Sequence, residues 1–284
     1  MASIVRKFWE VESFENGKAF SLEEQHCEAH FMKTHCRAPD GRYVVRLPIR
    51  EEMLTSLGES FTVAKRRFLS IERKLISNSQ LQLEYSAFMK EYQMLGHMSE
   101  AVPDHTNSHF YLPHHAVQRP ESTTTKTRVV FDASCRGSNN ISLNDLCYIG
   151  PTVQPPLISM LLNFRLPKYV VTADVEKMYR QVIVHVADRP LQQIVWRYHP
   201  SDDLKVYQLN TVTYGTAPAP YLATRVLNQL AEDEADNYPL ASPRVKKTFY
   251  VDDHLSGDDD KQRLIEINHQ LIALLQSGGF ILRK

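Results

Sequence analysis

The spacing of apolar residues changes character near residue 100. Before that point, apolar positions recur every three or four residues over 22–34, 64–75 and 81–98, which predicts three helices. The segment RYVVRLP at 42–48 breaks the period and reads as an extended piece. From Phe110 onward the pattern turns to short alternating or continuous apolar runs. These predict strands at 110–117, 127–131, 169–173, 181–186, 193–198 and 205–213. Polar turns at 119–125 and 199–203 and a Gly/Ser/Asn loop at 136–140 separate them. Helical spacing returns at 220–236 and 259–276. The expected class is α+β, an antiparallel sheet with helices, and the chain divides into regions 1–100 and 101–284. No internal repeat or low-complexity tract interrupts either region.

Two places in this pattern carry charge where a buried strand ends. Asp174 directly follows the apolar run YVVTA at 169–173. Asp252 and Asp253 lie between TFYV at 248–251 and HLSG at 254–257, which reads as two short strands with both acids at the tip of a tight turn. Taken alone, an Asp-Asp pair in a hairpin is ordinary turn chemistry. Packed side by side, the two places would bring three carboxylates within a few ångströms, and such a group stays ionised only around a cation. Oxygen-only donors favour a hard divalent ion, magnesium first and manganese as a substitute. Two such ions about 3.5–4 Å apart form the clamp used in phosphoryl transfer.

Composition narrows the setting. The 284 residues hold 33 basic and 33 acidic side chains, so no global field draws the chain to nucleic acid and any binding rests on local patches. Four cysteines are too few for a disulfide framework. No run is long and apolar enough to span a bilayer and no leader pattern opens the chain, so the expectation is a soluble intracellular protein without a membrane partner. His26, Cys27, His30, His35 and Cys36 are zinc-type ligands at a spacing that fits no standard finger. A helix with Cys27, Phe31 and Met32 inward and its His, Glu and Lys side chains in water explains them equally well. The run KRRFLSIERK at 65–74 carries five bases and one acid, and reads as a phosphate-tracking stripe or as a solvated helix face.

The ordered motifs resemble those of retroviral-type reverse transcriptases. TKTRVVFD at 125–132 looks like the finger strand whose arginine grips phosphate, which maps to Arg128, with Lys126 as a second candidate. ADVEKMY at 173–179 resembles the first catalytic motif, and FYVDD at 249–253 the second. The resemblance implies metal ligation by Asp174, the Val175 carbonyl, Asp252 and Asp253, and a sugar gate at Tyr179 that favours deoxynucleotides. TYGTAPAP at 213–220 resembles the segment lining the nucleotide pocket, with Tyr214 where retroviral enzymes carry glutamine and Gly215 beside it. GGFILRK at 278–284 resembles the start of the following motif, where Lys284 would stand as the general acid toward pyrophosphate. The implied architecture is the fingers and palm of a polymerase right hand, thumb absent, with residues 1–100 packing on the fingers.

FWEVE at 8–12, GRYVVRLP at 41–48, YLPHH at 111–115 and VVFDAS at 129–134 are similar to the pol segment of BEL/Pao-class LTR retrotransposons. That resemblance implies an RNA-directed DNA polymerase working on template-primer and deoxynucleoside triphosphates. It also implies a pol polyprotein with protease, RNase H and integrase, in the cytoplasm or in virus-like particles. The end at Lys284 keeps a rival open, a truncated and inactive retroelement relic that only binds nucleic acid or a partner.

Overall fold

The computed structural model describes residues 20–102, 108–118 and 127–283. The first helix, α1 (Leu22–Thr34), starts on a capping box in which Ser21 and Glu24 satisfy each other's backbone amides. It buries Cys27 and Phe31 as expected. Met32 instead stays half-exposed, its sulfur accepting from Arg225, and Glu28 turns from water to meet Tyr221 and Arg225. Strands β1 (Cys36–Arg37) and β2 (Tyr43–Val45) follow, then the short α2 (Glu51–Leu54). Helices α3 (Phe61–Ser77) and α4 (Ser79–Met94) meet at Asn78, whose side chain accepts from the Leu81 amide and caps the second.

Next come β3 (Met98–Glu100), β4 (His114–Gln118) and β5 (Thr127–Phe131). The strand expected from Phe110 begins only at His114. Phe110 and Leu112 bond instead to the backbone of Pro190 and Gln193, and Pro113 separates the two pairings. Helices α5 (Leu143–Leu146) and α6 (Leu157–Phe164) precede β6 (Tyr169–Val175). The strand expected at 181–186 is largely replaced by α7 (Met178–Gln181), β7 (Ile183–Val184) and a 3₁₀ segment from Val186. Strands β8 (Gln193–Trp196) and β9 (Lys205–Leu209) pair as a hairpin, and helix α8 (Ala219–Asp233) starts after Pro218. Helix α9 (Ser242–Thr248), β10 (Phe249–Tyr250), β11 (Asp253–Asp258), α10 (Lys261–Ser277) and β12 (Leu282–Arg283) complete the described chain.

Four sheets result. The central one is antiparallel in the order β10-β11-β6-β12, and β3-β9-β8 forms another. β4 and β5 make a ribbon, and β1-β2-β7 contains the single parallel pairing among the described strands. Apolar side chains gather into two cores. One holds Phe31, Tyr43, Met178, Leu222, Phe249 and Leu274 beneath the central sheet. The other holds Phe68, Tyr85, Met89, Phe131, Trp196 and Leu209 between α3, α4 and the β8–β9 sheet. Residues from before position 100 contribute to both cores.

Candidate active site

β6 and β11 run antiparallel with Asp174 opposite Asp253. Directly opposed residues share a face, so these two carboxylates lie side by side at one end of the sheet. The alternation also places Thr172 and Leu255 on that face and turns His254 and Ser256 to the other, where both are buried. Burial pushes the His254 imidazole down to about 4, with Arg244 adding to the shift, so the ring beneath the acids is neutral and packs 4.7 Å from Phe249.

The hairpin differs in detail from the expected one. Tyr250 pairs with Asp253, so the turn is Val251–Asp252, and Asp253 is already the first residue of β11. Consecutive residues diverge from the strand, and the doublet therefore splits. Asp253 is exposed beside Asp174, while the half-buried Asp252 carries its charge toward Tyr179 and Tyr214. Accordingly, the three carboxylates do not converge into a closed cluster, and among the described residues no three His, Cys, Asp or Glu side chains do. The donor set still fits a hard cation. Magnesium takes one or two carboxylates and leaves its other positions to water and phosphate oxygens, which suits acids spread along the ends of two strands better than a cage would.

Two backbone contacts fix the turn. The Asp252 carbonyl accepts from the Val175 amide at 2.8 Å, and the Val251 amide donates to Gln154 Oε1 at 3.0 Å. Val251 itself sits at φ 54°, in the left-handed region that a β-branched residue avoids.

After β6 the chain reverses at Lys177 and α7 delivers Tyr179, buried, with its ring 4.2 Å from that of Tyr214. Burial raises both phenols and the Asp252 charge raises them further, Tyr214 to about 12, so both keep their protons. Gly215 has φ 97°, and a Cβ there would stand 2.4 Å from the Phe131 carbonyl, so only glycine lets this loop approach β5. Asn144 ties the same loop down: its amide nitrogen donates to the Gly215 carbonyl and Ser134 Oγ, and its oxygen accepts from the Ala217 amide. Arg128, exposed on β5, and Tyr214 line one cavity of about 290 Å³. The candidates Lys126 and Lys284 lie outside the described residues.

Sequence reading missed Gln154 and Asn144, whose partners are mostly backbone groups, and two cations of the cavity wall, Lys177 and Arg180. The zinc-type run does not assemble, since Cys27 is in the core and Cys36 exposed on β1. In the basic run, Arg67 is spent on Asp132 at 2.6 Å and Glu72 pairs with Arg197 at 2.7 Å. No described helix is long and apolar enough to cross a membrane.

No protein-family model matches the chain, and no curated protein matches it in sequence. Solved structures do match. The protease-reverse transcriptase of Prototype Foamy Virus, a selenomethionine-labelled mutant, superposes with a TM-score of 0.53 at 16% identity, over 72% of this chain and 24% of that one. The foamy viral protease-reverse transcriptase in complex with an RNA/DNA hybrid gives 0.55 at 16%, over the same shares. The dRH form in complex with double-stranded DNA gives 0.51 at 17%, over 67% and 28%. This chain thus spans about a quarter of the length of those proteins and has the mixed α+β fold of part of a reverse transcriptase.

Proposed function

We propose that this chain is the fingers-and-palm core of an RNA-directed DNA polymerase from a BEL/Pao-class LTR retrotransposon, which extends a primer on a nucleic-acid template. The observation that carries the reading is the pairing of Asp174 with Asp253 across β6 and β11, with Asp252 in the adjoining turn facing two tyrosines. A sheet of neutral design would not oppose two acids, because like charges directly across a strand pair are destabilising. The foamy viral relatives in fold were captured with double-stranded DNA and with an RNA/DNA hybrid, which supports template-primer as the partner.

In this reading Asp174, Asp252, Asp253 and the Val175 carbonyl would hold two magnesium ions. When bound, the ions supply activation of the primer 3′-hydroxyl and neutralise charge on the leaving pyrophosphate. Arg128 meets the triphosphate with a guanidinium that cannot lose its charge. The Tyr179 ring, wedged against Tyr214, fills the space a ribose 2′-hydroxyl needs and selects deoxynucleotides. Lys284 protonates pyrophosphate as the general acid. The neighbouring protease, RNase H and integrase of a pol polyprotein complete the replication cycle.

Primer extension with magnesium on an RNA template tests the proposal. The wild-type chain extends the primer and Asp252→Asn loses about a hundred- to thousandfold, the scale of removing a principal electrostatic group. A wild-type chain that is folded yet incorporates nothing overturns it.

A further inference from the structure

The cavity beside Tyr214 carries more positive charge than the sequence motifs assign to it. Among the described residues three cations line it: Arg128 from β5, and Lys177 and Arg180 from the loop and short helix after β6. The one carboxylate on its wall among the described residues is Glu91 of α4, which holds Lys177 Nζ at 2.5 Å, with Glu176 behind it at 3.5 Å from the same ammonium. Arg180 makes no ion pair among the described residues, although the Glu91 charge reaches it. Its guanidinium lies over the rings of Phe88 and Tyr92, 5.1 and 4.9 Å from their centroids, so it is held in place by faces that leave its N–H edge unspent. The same pair of cations crosses from one core to the other, since Met178 and Tyr179 pack in the first and Tyr92 in the second.

Cations collected around a concavity, with one held on aromatic faces and without a carboxylate of its own, form a site for an anion bearing several oxygens. At about 290 Å³ the cavity is at the small end of ligand pockets, which run from about 300 to 1,000 Å³, and takes part of a nucleotide rather than all of one. We propose that Arg180 and Lys177 join Arg128 in a cradle for the polyphosphate of the incoming nucleotide, with Glu91 occupying Lys177 until the phosphates arrive. The inference rests on the polymerase reading for the identity of the nucleotide. The cradle itself is a property of the cavity and can be tested without turnover.

Glu91 gives the proposal a sign that a structural role would not produce. Its carboxyl is held below the usual range, first by the hydrogen bond from Lys177, so it is ionised and competes with any phosphate for that ammonium. Removing its charge should therefore tighten anion binding while removing a fold-spanning ion pair.

The experiment uses the whole chain and inorganic tripolyphosphate, followed by calorimetry at two salt concentrations, with primer extension alongside. Arg180→Met keeps an unbranched chain over Phe88 and Tyr92 without the charge, so the packing survives. It should weaken tripolyphosphate binding roughly ten- to hundredfold, the range for one charge-assisted contact. Lys177→Met should weaken it less, because that ammonium is already paired, and Glu91→Gln should strengthen it. In extension assays Arg180→Met should raise the nucleotide KM and leave kcat within about twofold. Unchanged affinity in Arg180→Met, or weaker binding in Glu91→Gln, overturns the cradle. So does a loss of affinity for a single-stranded oligonucleotide with tripolyphosphate binding intact, which would assign the cations to a strand backbone. If the wild type binds tripolyphosphate with these variant effects but extends no primer, the polymerase reading fails and the cradle stands.

Discussion

Val251 occupies a backbone region that costs a β-branched residue roughly 1–2 kcal/mol, and the cost is met at the residue that sets where Asp252 points. Among the described residues two hydrogen bonds hold the turn from outside, the Val175 amide on the Asp252 carbonyl and the Gln154 side chain on the Val251 amide, while the Val251 side chain packs on the first core. The first belongs to the sheet edge. The second is a side chain and can be removed. Gln154→Ala should leave the fold within about 1 kcal/mol, the net worth of one hydrogen bond. Its effect on primer extension should be about a tenfold loss in kcat with nucleotide KM within twofold, because the carboxylate is misplaced while the cavity beside Tyr214 is untouched. Steady-state extension kinetics decide it, and a change confined to KM would mean that Gln154 acts on substrate rather than on the turn. The two kinds of residue differ in legibility. The acids and Tyr179 stand out in the sequence because strand-like runs flank them and the residue types are costly at such positions. Gln154 bonds to a backbone amide 97 positions away, and a backbone group leaves no mark on side-chain pattern.

Among the elements, α3, α4, β4 and β8 meet through aromatic rings in the second core. Trp196 stacks on Tyr85 at 5.4 Å and meets Phe68 edge-on at 5.6 Å, with His114 buried among them. His114 bonds to the Tyr85 hydroxyl and the Val195 carbonyl, and burial pushes its pKa down to about 4; His97, buried at the start of β3, is pushed down to about 4 as well. Both rings fold neutral. The unfolded chain takes up protons below its ordinary histidine pKa of about 6.5, while the native state does so only near 4. Stability is therefore full above about pH 6.5, falls progressively between 6.5 and 4, and levels off below for these two groups. Urea midpoints from pH 7.5 to 4 should drop across that window, and His114→Asn should flatten the fall; a slope unchanged by that substitution would locate the acid sensitivity elsewhere. At this scale periodicity found β5 and α1 at their observed bounds: β5 turns Thr127, Val129 and Phe131 inward, and α1 buries Cys27 and Phe31 four residues apart. It missed α6, whose LISMLLNF buries only Met160 and leaves Ile158 and Leu162 in the open. It also missed α9, although Pro243 stands in its first turn, a position that favours helix starts.

For the whole molecule, the change in hydrophobic period near residue 100 does not coincide with a change of core. α1 and β2 insert Cys27, Phe31, Tyr43 and Val45 under the central sheet, and α3 and α4 insert Phe68, Tyr85 and Met89 against β8 and β9. Polar contacts repeat the same stitching. Asp188, buried in the 3₁₀ segment, receives both Arg46 nitrogens at 2.7 and 2.8 Å and the Leu47 amide, and Glu28 of α1 takes Tyr221 and Arg225 of α8. A chain of residues 101–284 alone would leave Asp188 buried without its guanidinium, a defect of about 3–5 kcal/mol by itself. It would also open both cores at several large side chains, each worth about 2–5 kcal/mol. Those losses exceed the roughly 5–15 kcal/mol by which domains are stable. The expected result for 101–284 is a non-cooperative thermal and urea profile with weak near-ultraviolet circular dichroism, against a single cooperative transition for the full chain. A cooperative transition in the fragment, with native-like aromatic signal, would mean that residues before 101 only decorate a self-sufficient core. The physical basis for expecting otherwise is that the site depends on both cores: Tyr179 is packed from the first, Arg128 and Glu91 are carried by elements of the second, and the cavity between them has walls only when both are closed.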